Sequence, residues 1–249
     1  MKKKRRFRIE ELRFVSLKNG LNMRWLKTSL MGFFFFLALL LTVIDFVAFD
    51  ENLFRSSYRK ENTMEVMGMS EEDLLKASHV LLDYIKGKRE NILIKAKVNG
   101  QEREVFDERE SKHMLDVKKL YEKAMLVRHG SIIFLLGLFL YEFLKHKDGI
   151  RSFLWESFCY GGLCFGSLIV VIVLYAITDF YNFWMNFHYL FFDNDLFLLD
   201  PNVSLMINMF PESFFYSMVM RIILIFGLLS LLFGGMLYYS FYRLRRKLI

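Results

Sequence analysis

Four blocks of apolar residues, each about as long as a bilayer crossing, leave this chain few ways to fold. Residues 30–49 read LMGFFFFLALLLTVIDFVAF, an apolar run broken by a single charge, Asp45. A helix rises about 1.5 Å per residue, so about 20 such residues cross a hydrocarbon core about 30 Å thick. Similar blocks follow, and the spans are placed at 29–49, 124–144, 153–177 and 214–239. With 54% hydrophobic residues and 28 Phe in a chain of 249, a soluble fold would need these residues dispersed with globular periodicity. They are segregated instead, which selects the membrane class.

Basic residues beside the spans set the expected orientation. Residues 1–28 hold ten Lys and Arg against two Glu, the loop 145–152 carries Lys145, Lys147 and Arg151, and the tail 240–249 carries Arg243, Arg245, Arg246 and Lys247. The positive-inside rule puts all three in the cytoplasm and both termini with them. Segments 50–123 and 178–213 then lie outside. The net charge of +7 comes mostly from this bias. It reads as an orientation signal and a contact for anionic membrane lipid, with no nucleic-acid partner implied. The residues around Val47, Ala48 and Phe49 lack the small pair of a signal-peptidase site, and Arg5-Arg6 is too far from the apolar run for a twin-arginine signal. Cys159 and Cys164 fall five positions apart in one span, a spacing that a helix cannot bridge, and read as packing residues.

Segment 50–123 has soluble composition. Ser70 is placed to cap a helix that presents Leu74, Leu75, Leu81, Leu82 and Ile85 on one face and ends near Gly87. Alternation through Ile92, Ile94, Ala96 and Val98, then Asn99-Gly100, predicts a β-hairpin returning along 101–106. Asp107 and Glu110 form a capping box for the next helix. His113 sits on that helix with Glu110 at i−3 and Asp116 at i+3, so both carboxylates are expected beside its ring. A straight helix from 108 into the second span would hold His113 about 20 Å above the bilayer. A bend is therefore expected, laying 108–123 along the interface as a separate helix. The fold class is an all-α bundle of four transmembrane helices with a small extracytoplasmic α/β cap: helix, hairpin and interfacial helix.

Segment 178–213 is dense in Phe, Tyr, Trp and Leu, yet carries Asp193, Asp195, Asp200 and Pro201. It reads as a pocket at the bilayer edge that places His188 among aromatic rings, where an imidazole can exchange protons beside acyl chains. Asp45, Arg128 and Arg221 fall at similar depth in their spans, and ionisable residues there face a cavity or each other. Arg221 or Arg128 is read either as a donor to a substrate carbonyl or as the partner of Asp45. Gly162-x-x-x-Gly166 reads as a helix contact.

The segments ERESKHMLDVKKLY (108–121), FHYLFFDNDLFLLDP (187–201) and FPESFF (210–215), in this order and separated by spans, resemble a family of four-span bacterial membrane proteins that includes the lipoprotein intramolecular transacylases. The resemblance covers about residues 32–239. It implies an acyltransferase that moves a fatty acyl chain from the glyceryl ester of a diacylglyceryl-cysteine lipoprotein to that cysteine's own α-amine, giving the lyso form. Its two essential histidines would fall on His113 and His188. Arg221, Arg128 and Asp195 are the candidate substrate-binding residues, diacylated lipoproteins the substrate partner, and no metal or soluble cofactor is implied. The residues are consistent with that chemistry, since two imidazoles can divide the proton transfers of acyl transfer and no GxSxG nucleophile elbow is present. The alternatives are a metal-dependent membrane hydrolase using His79, His113, His188, Asp193 and Asp195, and a non-enzymatic adaptor whose outer segment binds a partner. Neither an HExxH motif nor a histidine pair at i, i+4 supports the hydrolase.

Overall fold

The computed structural model describes residues 2–248, with side chains described for 23–243. The side chains of 1–22 and 244–249, which carry most of the basic N-terminal segment and the end of the basic tail, lie outside the described residues. In order, the chain forms α1 (Lys2–Ala48), α2 (Glu51–Lys60), α3 (Thr63–Met67), α4 (Glu71–Ile85), β1 (Lys95–Val98), β2 (Gln101–Glu104), α5 (Glu108–Lys145), α6 (Ile150–Thr178), α7 (Phe180–Phe191), α8 (Leu205–Met209) and α9 (Glu212–Leu248). Parts of α1, α5, α6 and α9 are long and apolar enough to cross a membrane. Their apolar side chains, Leu136, Leu163, Leu174 and Leu231 among them, are exposed, the reverse of a soluble surface. The expected four-span helical fold with one small antiparallel sheet is what forms.

The chain divides into two compact units, one of residues 1–39, 129–170 and 228–249, the other of 40–128 and 171–227. In the first, α1 and α6 touch backbone to backbone. A Cβ on Gly32 would lie 1.9 Å from the Ser157 carbonyl oxygen, and one on Gly161 would lie 2.4 Å from the Gly32 Cα. The expected contact through Gly162 and Gly166 thus moves by a residue: Gly162 meets only the Phe36 ring, and Gly166 has nothing within 4 Å. Helix phase decides this, because neighbouring positions point about 100° apart. Phe36 stacks on Phe165 at 6.1 Å, and Phe35 meets Phe233 edge-on at 5.3 Å. Lys27 pairs with Glu142 at 2.7 Å and Arg24 with Glu156 at 2.8 Å. Cys159 and Cys164 are free, and both are exposed on α6.

The second unit is built from local signals that the chain spells out. The Ser70 hydroxyl accepts the Asp73 N–H at 3.0 Å and starts α4. Gly87, at φ 74°, stops it: the Gly87 N–H donates to Tyr84 and the Lys88 N–H to Asp83, a Schellman ending that only a residue free of Cβ strain adopts readily. Asn99 and Gly100, both at positive φ, make the two-residue turn, and Val98 pairs with Gln101. Ala96 and Val98 face inward, whereas β2 is exposed along its length. At the start of α5, Asp107 Oδ1 accepts the Glu110 N–H at 2.8 Å and Glu110 Oε2 accepts the Asp107 N–H at 2.7 Å, the reciprocal capping box. The core gathers Tyr58, Leu74, Ile92, Met209 and Phe214.

The helix carrying His113 departs from expectation. Segment 108–123 is not a separate interfacial helix, because α5 runs unbroken from Glu108 to Lys145. At about 1.5 Å per residue its 38 residues extend about 57 Å, well beyond a hydrocarbon core. Nine charged residues between Glu108 and Lys123 keep that part out of the hydrocarbon. Continuity wins because no Gly or Pro interrupts 108–129 and each break would forfeit backbone hydrogen bonds.

Candidate active site

The second unit brings two imidazoles together. His113 on α5 and His188 on α7 have ring centroids 6.0 Å apart and planes inclined by 31°. They are 75 positions apart in sequence, and what joins them is the stretch after α7 folding back along α5. Asn194 donates to Asp116 at 2.9 Å, and Arg109 donates to the Asp195 backbone carbonyl, with its Asp195 carboxylate contact at 3.7 Å. A third fastening is Glu110, 1% exposed, which accepts the Ser204 hydroxyl at 2.5 Å and the Met206 N–H at 3.0 Å. Each bond to a buried carboxylate is worth about 1.5–3 kcal/mol, so this residue anchors the N-terminus of α8 to the helix turn that precedes His113.

Glu110 is therefore not beside the His113 ring, as its i−3 position suggested. Its carboxylate is consumed by the capping box and the N-terminus of α8. Asp116 gives its Oδ2 to Asn194 and acts on His113 only through its field. His113 is 8% exposed, and its Nδ1 has no hydrogen-bond partner among the described residues. Burial, reinforced by the neighbouring His188, pushes its pKa down to about 4 against the pull of Asp116. The ring is neutral at physiological pH.

His188 is oriented more firmly. Its Nδ1 lies 2.7 Å from the Trp184 carbonyl oxygen, one helical turn back. A carbonyl only accepts, so this nitrogen carries the proton and Nε2 keeps its lone pair. The ring stacks on Phe197 at 4.8 Å and meets Trp184 edge-on at 4.9 Å, while Phe192 touches both imidazoles at 5.4 and 5.7 Å. Trp184 continues the aromatic wall to Phe187 and Phe215. Burial lowers the His188 pKa, opposed by the bond to Trp184. The site is thus a pair of neutral imidazoles in an aromatic enclosure, one with a fixed tautomer and one with an unsatisfied nitrogen.

The other anticipated residues lie apart from this pair or are engaged elsewhere. Arg128 pairs with Asp45 at 2.6 Å, and Tyr121 donates to the same carboxylate at 2.9 Å. Arg221 pairs not with Asp45 but with Asp50 at 2.8 Å. The Asp195 side chain is largely exposed. His79 pairs with Glu51 at 3.2 Å. Among the described residues, no three His, Cys, Asp or Glu side chains converge as a metal site, so the ligand set of the hydrolase reading does not assemble. Sequence reasoning missed Trp184, Phe192, Phe197, Asn194 and Ser204; only the i−4 position of Trp184 relative to His188 gave a local hint.

The family described as lipoprotein intramolecular transacylase Lit matches residues 29–215. No curated protein matches the chain. Among solved structures, the membrane integral lipoprotein intramolecular transacylase Lit from Bacillus cereus aligns with a TM-score of 0.67 at 21% identity, covering 91% of this chain and 97% of that one. Two forms of the same protein with a histidine replaced align too. The arginine variant gives a TM-score of 0.72 at 18% identity over 93% and 98% of the two chains. The alanine variant gives 0.73 at 19% over 93% and 99%. At these identities the structures speak for the fold, and the family match speaks for the kind of enzyme. The chain belongs to the lipoprotein intramolecular transacylase family, Lit, and is an acyltransferase built as a multi-pass membrane protein.

Proposed function

We propose that this enzyme transfers one fatty acyl chain from the glyceryl ester of a diacylglyceryl-cysteine lipoprotein to the α-amino group of the same cysteine. His113 and His188 are its acid and base. The observation that carries the reading is the neutral imidazole pair at 6.0 Å, with His188 held so that its Nε2 is free to take a proton. In the reaction the amine nitrogen attacks the ester carbonyl, forming a tetrahedral oxyanion. That intermediate collapses with cleavage of the ester C–O bond, an amide C–N bond remains, and the proton lost by nitrogen passes through an imidazole to the glyceryl alkoxide. No water is consumed and no acyl-enzyme is needed. Because donor and acceptor share one molecule, holding them in near-attack geometry supplies much of the rate.

His113, with its unpartnered Nδ1, is assigned to the oxyanion or to the departing alkoxide. Arg221, 41% exposed beyond its pair with Asp50, is assigned to substrate orientation, with Asp195 at the loop edge. Arg128, enclosed with Asp45, is assigned to holding α1 and α5 together where they meet. The reaction is placed on the outer face with both termini cytoplasmic, in keeping with the basic residues beside the inner loops. A reporter inserted at Asn99-Gly100 is then external and one fused after Ile249 internal.

The test is mass spectrometry of lipoprotein N-termini from bacteria with and without this chain. The wild type converts the O-acylated diacyl form into the N-acylated lyso form, and His113→Ala and His188→Ala do not. Unchanged N-termini on expression of a folded wild-type protein would overturn the reading.

A further inference from the structure

The second unit holds two lysines fixed in place without an acidic partner. Lys86 Nζ lies 3.7 Å from the centroid of the Phe49 ring, and Lys118 Nζ lies 4.6 Å from that of Tyr84. The two sites join: Phe49 meets Tyr121 edge-on at 5.3 Å, and Tyr121 is one turn along α5 from Lys118. Lys86 is also the C-cap of α4, and the Schellman ending at Gly87 sets its direction. Contact with an aromatic face holds an ammonium electrostatically but leaves its N–H donors unused. Among the described residues neither lysine has a carboxylate within ion-pair distance. Asp83 is taken by Lys88 at 3.6 Å, Asp45 by Arg128 and Tyr121, and Asp116 by Lys119 and Asn194. Glu122 lies near Tyr84 but is exposed and pairs with neither ammonium.

Position decides what such a pair meets. Phe49 is the last residue of the first apolar run, so an ammonium packed on its ring lies where hydrocarbon gives way to headgroups. Long basic side chains there lay their stems on apolar surface and direct the charge outward. The anion that a bilayer presents at this depth is the lipid phosphate.

We propose that Lys86 and Lys118 form a binding site for the headgroup of an anionic phospholipid, seated on the Phe49, Tyr84 and Tyr121 rings. The site is distinct from the imidazole pair and does not depend on the acyl-transfer chemistry. Its occupant is a membrane lipid with a net negative headgroup, which keeps the lysines supplied with acceptors and fixes this part of the unit at the membrane surface.

The experiment uses the full chain in bilayer discs of phosphatidylcholine with phosphatidylglycerol. Native mass spectrometry reads the lipids that remain bound on release. The wild type retains phosphatidylglycerol in preference to phosphatidylcholine. Each of Lys86→Gln and Lys118→Gln lowers that preference by about fivefold, and the double Arg variant keeps it. As the control pair, Lys60→Gln and Lys112→Gln each remove the same single charge elsewhere and each leave the preference intact. The proposal fails if the wild type shows no preference, if the Gln variants retain it while folded, or if the control pair loses as much.

Discussion

Two clusters of titratable side chains in the second unit contrast in how their needs are met. Around Asp45 every need is met: Arg128 reaches the carboxylate at 2.6 Å and Tyr121 at 2.9 Å, with the paired side chains 25% and 16% exposed. Around His113 a ring 8% exposed keeps an unpartnered nitrogen, and its neighbour is another imidazole. Leaving a buried polar atom unsatisfied costs about 1–3 kcal/mol, so a fold selected for stability alone would fill that position otherwise. A closed cluster binds helices to each other; an open one has capacity left for substrate.

The largest expected effect separates these roles. His113→Ala and His188→Ala each lower the rate of lyso-lipoprotein formation by about a hundred- to ten-thousandfold, the usual worth of a general acid or base. Thermal stability changes far less. His188→Ala costs more stability than His113→Ala, because it loses the Trp184 hydrogen bond and the stack on Phe197. If a His113 variant kept wild-type turnover in detergent, the open cluster would have no chemical role and the contrast would collapse.

Asp45 should behave the opposite way. Asp45→Asn strips Arg128 of its counter-charge, and breaking a largely enclosed pair costs about 3 kcal/mol. The midpoint of denaturation falls, while activity per folded molecule holds. Combining Asp45→Asn with Arg128→Leu removes both charges and recovers part of the loss. A double variant that is stable but inactive would move Arg128 into the substrate site.

Acid gives a third probe, with its sign set by burial. Both histidine pKa values lie below the ordinary 6.5, His113 at about 4, so between those values the unfolded chain binds protons that the folded chain refuses. Stability contributed by the neutral rings is complete above about pH 6.5 and is lost as pH falls toward 4. The acid limb of activity should accordingly sit below 6.5. His113→Phe flattens the stability slope in that window; an unchanged slope would show that other groups carry it.

The parts of this molecule legible in the sequence are those decided locally. The four apolar runs are each one contiguous stretch, the Ser70 cap, the Asn99-Gly100 turn and the Asp107–Glu110 box need only a few consecutive residues, and each forms. The histidines were identifiable by residue type and by resemblance. Their mutual geometry was not, because it rests on Asn194 meeting Asp116 and Ser204 meeting Glu110 across 78 and 94 positions. Local reasoning also misassigned shared resources: Glu110 could not both close the capping box and flank His113. Ion-pair partners depend on long-range packing that local reasoning does not reach: Arg221 meets Asp50, the N-cap of α2 just past the end of α1, instead of Asp45.

That reassignment yields the smallest and most discriminating expectation. The Arg221–Asp50 pair is 41% and 19% exposed, so its contribution to stability is discounted by solvent to about 1 kcal/mol or less. Arg221→Leu therefore leaves the protein folded, and any large loss of turnover reports on substrate. If Arg221 orients the acyl ester, its removal raises KM more than it lowers kcat, whereas Asp50→Asn leaves the guanidinium in place and preserves activity. If the pair only ties the start of α2 to α9, the two variants lose the same small stability and turnover survives in both. Equal loss of activity in both variants would mean that Asp50 holds Arg221 in its working position, turning this exposed pair from a structural link into part of the open cluster's support.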